Sequence, residues 1–399
     1  MMIKVLVLIV ILMVCGIAFR RLYPPFGAKV TGRDRDRYKS RTTSDYYDGA
    51  RFYYPKEWRR EGLTEDVMIS EKGSTPLDRL PVVRPDITDV TEFADSTDIP
   101  DLTDITDTTD LADLAEITDE TDVTDPPDIQ QIAVTWFGHS TILIRMHGKN
   151  ILIDPVFCER ASMFRFIGPK RFTKPPLTIG ELPHIDICLI SHDHYDHLDM
   201  RFIKQIADKT GHFLVPLGIE KHLIKKGIAA EKITDMAWWE AYEFDGLTFV
   251  CTPGLHMSNR LIDDVREKLW CSWVIKDAYH QIYESGDTGY GGHFQEIGQR
   301  YGEFDLVMLD CAQYNKKWHT SHMYPEESAM AAVELGAKTV MPIHWGAFAL
   351  SSHGWDDPVE RYVKAAREKG LDLVTPKPGE TMTLRQAERF KECWWREYR

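Results

Sequence analysis

From residue 132 to the C-terminus, short apolar runs alternate with stretches whose apolar positions recur every three to four residues. The runs at 133–136, 141–145, 150–153, 185–190, 247–251, 281–283, 306–309 and 339–343 are brief and rich in β-branched side chains, so they predict strands. The periodic stretches at 200–209, 220–226, 325–335 and 358–369 predict helices. Strands interleaved with helices imply sheets covered by helices, and residues 131–399 are expected to form one α/β domain.

Upstream the pattern breaks in three ways. Residues 5–19 are an unbroken apolar or small run, preceded by Lys4 and followed by Arg20 and Arg21; with Ile3 included, it is at the short limit for crossing a bilayer. Residues 1–21 are read as an uncleaved membrane anchor, with a cleaved signal peptide as the alternative because Gly16-x-Ala18 offers a small-x-small site. Eight Lys and Arg from Arg20 to Arg41 favour the cytoplasmic face and would suit anionic lipid head groups. Residues 22–84, rich in Arg, Tyr, Pro and Gly, are expected to be an extended lead-in that wraps the domain. Residues 85–130 carry an acidic residue at every third position, in a repeat close to Asp-Ile-Thr. A period of three gives an amphipathic face to neither a helix nor a strand, so this segment is expected to be a disordered spacer.

Charge and cysteines refine this only locally. Of the 62 acidic residues, 16 lie within 85–128, where there is no Lys or Arg; the remaining 46 face 48 Lys and Arg, against a net charge of −14 for the whole chain. The folded body is therefore near neutral, with no basic stripe beyond residues 20–41, which argues against nucleic acid as a partner. The seven cysteines are scattered, odd in number and without C-x-x-C spacing, so they read as small buried residues.

The densest chemistry is His192-Asp193-His194-Tyr195-Asp196-His197, directly after the apolar run 185–190. Three imidazoles and a carboxylate at this spacing make little sense as core, whereas neutral imidazole and carboxylate are good zinc ligands. The loop resembles the HxHxDH loop of the metallo-β-lactamase superfamily, whose αββα sandwich holds two zinc ions at one edge of its sheets. The resemblance implies further ligands in order: His256 in Thr252-Pro253-Gly254-Leu255-His256, Asp287 in Ser285-Gly286-Asp287-Thr288-Gly289, and His344 in Pro342-Ile343-His344-Trp345-Gly346. It implies that His192, His194 and His256 hold one zinc, that Asp196, His197 and His344 hold the other, and that Asp287 bridges them. Asp196 and Asp287 are the catalytic candidates, with Asp196 or the bridging oxygen handling the proton. Asp154, in Ile151-Leu152-Ile153-Asp154-Pro155, matches the family's early strand-end Asp and is expected to orient a ligand histidine. Iron or manganese would also tolerate these nitrogen and oxygen donors.

The resemblance narrows to the N-acylphosphatidylethanolamine-hydrolysing phospholipase D group and its bacterial relatives. It rests on Trp136-Phe137-Gly138-His139-Ser140-Thr141, Gly168-Pro169-Lys170-Arg171-Phe172, Trp238-Trp239-Glu240 and Gly286-Asp287-Thr288-Gly289-Tyr290, within shared stretches covering about 132–365 in order. It implies a phospholipid substrate at a membrane surface, and His322 as a substrate contact. The chain departs from the group at 309–315, where Asp310, Gln313 and Asn315 stand in a stretch that is apolar and aromatic in the phospholipase. That segment, Asn315 included, is expected to line the pocket together with Trp318 and His319. Alternatives are a lactonase or soluble phosphodiesterase of the same fold and, outside enzymes, a membrane-bound scaffold using the acidic repeat. Oligomeric state stays open, a homodimer being one compatible arrangement.

Overall fold

The apolar runs become two seven-stranded sheets packed face to face. The computed structural model describes residues 27–59, 74–76, 79–85 and 131–399. The anchor expected over 1–21 and the acidic repeat over 86–130 lie outside the described residues. Among the described residues, no helix is long and apolar enough to cross a membrane.

In the first sheet β1 (Ala133–Trp136), β2 (Ile142–Met146), β3 (Lys149–Ile153), β4 (Ile185–Leu189), β5 (Thr210–Pro216) and β6 (Ile233–Met236) follow one another in space as in sequence. In the second, β7 (Ala241–Phe244), β8 (Leu247–Thr252), β9 (Ser272–Lys276), β10 (Gln281–Glu284), β11 (Phe304–Asp310), β12 (Ala337–Ile343) and β13 (Asp372–Leu373) do the same. A last strand, β14 (Thr381–Thr383), returns to pair with β1. Strands β3 to β6 are mutually parallel, as are β10 to β13, so their carboxyl ends open at common edges. Loops leaving such edges converge, and sites form there.

Alternate residues of a strand face opposite sides, and here both sides are covered. Leu306 and Met308 of β11 point into the core between the sheets, with Phe249, Trp273, Trp136 and Ile343. Val307 and Leu309 point outward onto Phe294 and Ile297 of the helix His293–Tyr301 and onto Leu335 of the helix Pro325–Leu335. On the first sheet, Leu152, Cys188 and Phe213 meet Ile203, Ile206 and Leu223 from the helices Ile203–Ala207 and Glu220–Lys225. The result is an αββα sandwich, and burial on both faces is why the strands read as continuous apolar runs. Five of the seven cysteines, Cys158, Cys188, Cys251, Cys271 and Cys311, are free and buried.

The lead-in departs from a purely extended strap, since it contains the helix Gly32–Arg41. Its one buried residue, Tyr38, packs on Tyr47 and Phe52 with ring centroids 6.1 and 5.7 Å away. Three arginines of the cluster that was expected to suit lipid head groups pair with carboxylates of the fold. Arg35 pairs with Glu267 at 2.7 Å, Arg37 with Glu220 and with Asp235 (2.8 Å), and Arg41 with Asp235 (2.9 Å) and Glu240. Further on, Trp58 and Tyr46 both pack on Trp238, whose indole N–H donates to the Trp270 carbonyl at 2.6 Å. Arg41→Ala should lower unfolding free energy by about 1–2 kcal/mol, because it leaves two partly buried carboxylates short of a partner. The shift should appear in the urea midpoint with an unchanged slope; an unmoved midpoint would mean the strap is only laid on the surface.

Candidate metal centre

Each candidate ligand leaves the end of a strand. The loop 191–199 follows β4, His256 follows β8, Asp287 follows β10 and His344 follows β12. Gly286, at φ +53°, permits the turn into Asp287: a Cβ there would lie 2.9 Å from both the Cys271 carbonyl oxygen and the Ser191 Cβ. Three non-glycine residues at this edge also adopt positive φ, His139 (57°), Asp154 (41°) and His344 (67°). Such backbone strain persists where surroundings over-determine it. Here a backbone bridge does so, with His139 N–H donating to the Trp345 carbonyl (2.8 Å) and His344 N–H to that of His139 (3.0 Å). The Trp136 and Trp345 rings stack beneath it at 5.2 Å.

All seven sequence-predicted ligands come together, in two adjoining basins. In one, His192 Nε2 and His256 Nε2 lie 2.9 and 3.1 Å from His194 Nδ1, and Asp287 Oδ2 is 3.6 Å from both Nε2 atoms. In the other, Asp196 Oδ2 lies 3.3 Å from His344 Nε2 and 3.6 Å from His197 Nε2. Asp287 turns its second oxygen there, with Oδ1 at 3.1 Å from His197 Nε2 and 3.2 Å from His344 Nε2. One carboxylate thus faces both basins. Zinc at about 2.0–2.1 Å from tetrahedral ligands would set them about 3.3 Å apart, which these separations bracket. His197 Nε2 and Asp287 Oδ1 are buried and, although 3.1 Å apart, meet no partner in hydrogen-bond geometry. Buried polar atoms are normally paired, so orphans converging on one point fit a cation between them.

The far nitrogen of each ligand histidine is held, which turns the near one toward the basins. Asp154 Oδ2 lies 2.7 Å from His197 Nδ1 and accepts from Ser191 Oγ at 2.5 Å, and that hydroxyl lies 2.9 Å from His192 Nδ1. His256 Nδ1 donates to the Ser321 carbonyl at 3.0 Å, and His194 Nε2 meets Asn259 Oδ1 at 2.9 Å. Asp193, the odd residue of the loop, points away into a buried ion pair with Lys268 (3.2 Å) and contacts His222 (2.9 Å).

Two participants, His139 of the Trp136–Thr141 stretch and Asp310 of the polar stretch at 309–315, had no ligand-orienting role assigned from sequence. His139 Nε2 sits 2.9 Å from Asp196 Oδ2, close enough to orient that carboxylate. Asp310, the last residue of β11, reaches His322 Nδ1 at 3.1 Å and His344 Nδ1 at 3.3 Å. Its position between Asp287 and His344, on the middle of three parallel strands, was the available signal. The polarity of 309–315 is consumed in bracing: besides Asp310, Gln313 donates to the Phe348 carbonyl (2.9 Å) and accepts from Leu350 N–H (2.8 Å). His322 stacks parallel to His344 at 5.3 Å, beside the basins. Asn315 does not join them; its amide N–H donates to Ser352 Oγ at 3.0 Å, and its oxygen accepts from Lys317 N–H at 3.0 Å. Trp318 donates to the Gln313 carbonyl at 2.7 Å, and His319 lies 2.7 Å from Glu327.

The electrostatics divide the basins. Burial, with His197 as the next largest influence, holds His192 well below the usual imidazole range, and burial likewise lowers His256. Burial would lower His344 too, but Asp287 and Asp310 outweigh it and push it up to about 10; His197 is raised in the same way, chiefly by Asp287 and Asp196. Without metal at neutral pH, His197 and His344 therefore hold protons that a metal must displace, while His192 and His256 do not. Metal affinity of the Asp196–His197–His344 basin should consequently rise with pH, by up to about a hundredfold per pH unit when two protons are displaced. The other basin should respond less. Metal titration by calorimetry between pH 6 and pH 8 (roughly the range where ligand protonation governs metal affinity) would show two steps of different slope; equal slopes would overturn the assignment.

Comparison with known proteins places this geometry. The sequence profile of the Beta-lactamase superfamily domain matches residues 149–345. An uncharacterized protein of Mycobacterium tuberculosis is 38% identical over 273 residues, which are 67% of this chain and 73% of that protein. The N-acyl-phosphatidylethanolamine-hydrolyzing phospholipase D 1 of Caenorhabditis elegans is 34% identical over 230 residues, 55% of this chain and 65% of that one. Among solved structures, a metallo hydrolase from the hyperthermophilic archaeon Ignicoccus hospitalis shares the fold with a TM-score of 0.50 at 21% identity, over 63% of this chain and 98% of that one.

Proposed function

The chain belongs to the metallo-β-lactamase superfamily and is a metal-dependent hydrolase, and from that premise we propose that it is a dinuclear zinc enzyme cleaving a phosphodiester in a membrane phospholipid. The substrate assigned is N-acylphosphatidylethanolamine, cut in the manner of a phospholipase D to N-acylethanolamine and phosphatidic acid. The observation that carries the reading is Asp287, with Oδ2 at 3.6 Å from the nitrogens of one basin and Oδ1 at 3.1 and 3.2 Å from those of the other. A carboxylate bridge of this kind suits phosphodiester chemistry, in which charge builds on both sides of the phosphorus. The named C. elegans relative supports the choice of lipid.

Two zinc ions held by these residues would supply a hydroxide nucleophilic at neutral pH and neutralise charge on the phosphoryl oxygens. The remaining work falls to the chain. Asp154 and Asp310 keep the ligand rings from reorienting, so the site needs no reorganisation as charge develops. Asp196, steadied by His139 and 12% exposed, would take the proton lost as water becomes that hydroxide. His322, 13% exposed and tied through Nδ1 to Asp310, keeps Nε2 for a phosphoryl oxygen. Residues 1–21, read as an anchor, would hold the site at its substrate's surface.

Mass spectrometry of vesicles containing N-acylphosphatidylethanolamine, after incubation with the purified full chain, tests this directly. N-acylethanolamine and phosphatidic acid should appear with the untreated protein and vanish after chelation. If lipid is untouched while soluble phosphodiesters or lactones are turned over, the phospholipid assignment falls and the superfamily assignment stands.

A further inference from the structure

Between β3 and β4 the chain makes an excursion that the metal centre does not use. Residues 159–171 fold back on themselves as a finger: Arg171 N–H donates to the Glu159 carbonyl (2.8 Å), Ala161 N–H to that of Pro169 (3.1 Å), and Arg160 bridges Lys170 antiparallel. At the tip, Phe166 is 80% and Ile167 58% exposed, with the Phe164 ring stacked on Phe166 at 5.5 Å. Arg165 and Lys170 are exposed beside them, as is Lys174 just beyond the stem. The acidic exception, Glu159, is paired with Lys170 at 3.1 Å.

The stem walls a cavity of about 640 Å³ whose lining includes Arg79, Phe157, Lys170, Arg171, Phe172 and Lys174. Arg171 lies over the Phe348 ring at 4.5 Å, with its Nη1 buried and without a hydrogen-bond partner. Phe348 in turn meets the His139 ring edge-on at 5.2 Å, so two rings, Phe348 and His139, link the cavity wall to Asp196. The base of the finger is fastened to the metal loop itself. Asp199, two residues past His197, accepts from Phe157 N–H (3.1 Å) and Cys158 N–H (2.8 Å), and Arg201 donates to the carbonyls of Arg160 (3.2 Å) and Ser162 (2.6 Å). Beside the stem, where Ser162 and Arg260 line one crevice, rises the loop carrying Ile262, which is 98% exposed.

We propose that this finger docks on the surface of an anionic phospholipid bilayer, with Phe166 and Ile167 entering the acyl layer and Arg165 and Lys174 at the phosphate level. Apolar tips flanked by cations are the pattern of interfacial attachment: the rings leave water while long basic side chains stay with the head groups. The basic residues of Gly32–Arg41 cannot serve in this way where they are spent on carboxylates within the fold. Because the stem and the metal loop share Asp199 and Arg201, a bilayer held at the tip stands at a fixed offset from the basins. The inference deepens the phospholipid reading and rests on it for the identity of the substrate, but its test needs no turnover.

Amide hydrogen exchange of the full chain should be followed alone, with phosphatidylcholine vesicles, and with vesicles also containing phosphatidylglycerol. Exchange across 163–168 should slow several-fold on the anionic vesicles only. The double variant Phe166→Asp, Ile167→Asp should lose that slowing while strand peptides exchange as before, which separates lost docking from lost folding. Equal exchange with and without vesicles overturns the proposal, as does equal slowing on neutral vesicles. Slowing that follows protein concentration without lipid would assign the tip to a second copy of the chain and also overturn it. Vesicle protection without lipid hydrolysis would leave the docking face standing and remove only the substrate.

Discussion

Asp287→Asn should lower turnover by about three orders of magnitude and cost the protein one of its two proposed metal ions. The substitution keeps shape and removes charge, so its effect is chemical and not a matter of packing. Burial alone would raise the Asp287 carboxyl, but His197 and His344 hold it well below the usual carboxylate range, and it is the anion between them that both basins share. An amide offers one oxygen in place of two, so only one basin can keep its fourth donor. Metal analysis by mass spectrometry alongside kcat reads both effects. A variant that retains two ions per chain with near-normal turnover would remove Asp287 as the bridge and with it the main support for phosphodiester chemistry.

Asp310→Asn should cost about ten- to a hundredfold in activity or in affinity at the Asp196–His197–His344 basin, the range seen when partners of ligand side chains are lost. Fully buried Asp310 accepts from the Ala312 N–H at 3.1 Å while contacting His322 and His344, so one carboxylate organises two rings and a turn. Asp310→Ala should add about 1–3 kcal/mol of destabilisation by leaving those donors unpaired. His322→Ala separates the two services. It should lower turnover and leave metal content intact, whereas Asp310→Asn should disturb both. If Asp310→Asn behaves as His322→Ala does, with full metal occupancy, then Asp310 acts on His322 alone.

Much of this was legible in the chain because the relevant signals are local. The loop His192–His197 packs its ligands into six consecutive residues, and each strand end bearing His256, Asp287 or His344 follows an apolar run that alternation of faces makes recognisable. Strands β1, β3, β4, β8, β10, β11 and β12 and the helix Pro325–Leu335 lie where the pattern placed them to within a few residues. Among the elements that escaped, β9 and the helix His293–Tyr301 carry ordinary apolar patterns, while the others have weak local ones. Gly211 and His212 interrupt β5, the strands β6 and β7 are half-exposed, and the helix Gly32–Arg41 carries nine polar or glycine residues around Tyr38.

The positions of most strands and the candidate ligands packed into His192–His197 were thus legible in sequence, since both depend on residue type and short-range period, whereas His256, Asp287 and His344 entered as candidates through the family resemblance. What only tertiary structure decided is which polar side chains turn toward which partners. The eight Lys and Arg from Arg20 to Arg41 read as a lipid-facing cluster, yet Arg35, Arg37 and Arg41 find carboxylates that lie some two hundred residues downstream. The polar stretch at 309–315 read as a pocket wall, yet Asp310 and Gln313 brace His344 and its loop, and Asn315 turns to Ser352. A charge or an amide is promiscuous in sequence, because any complementary group satisfies it. Its partner is settled only when folding brings distant strand ends to one edge and burial makes an unpaired group costly.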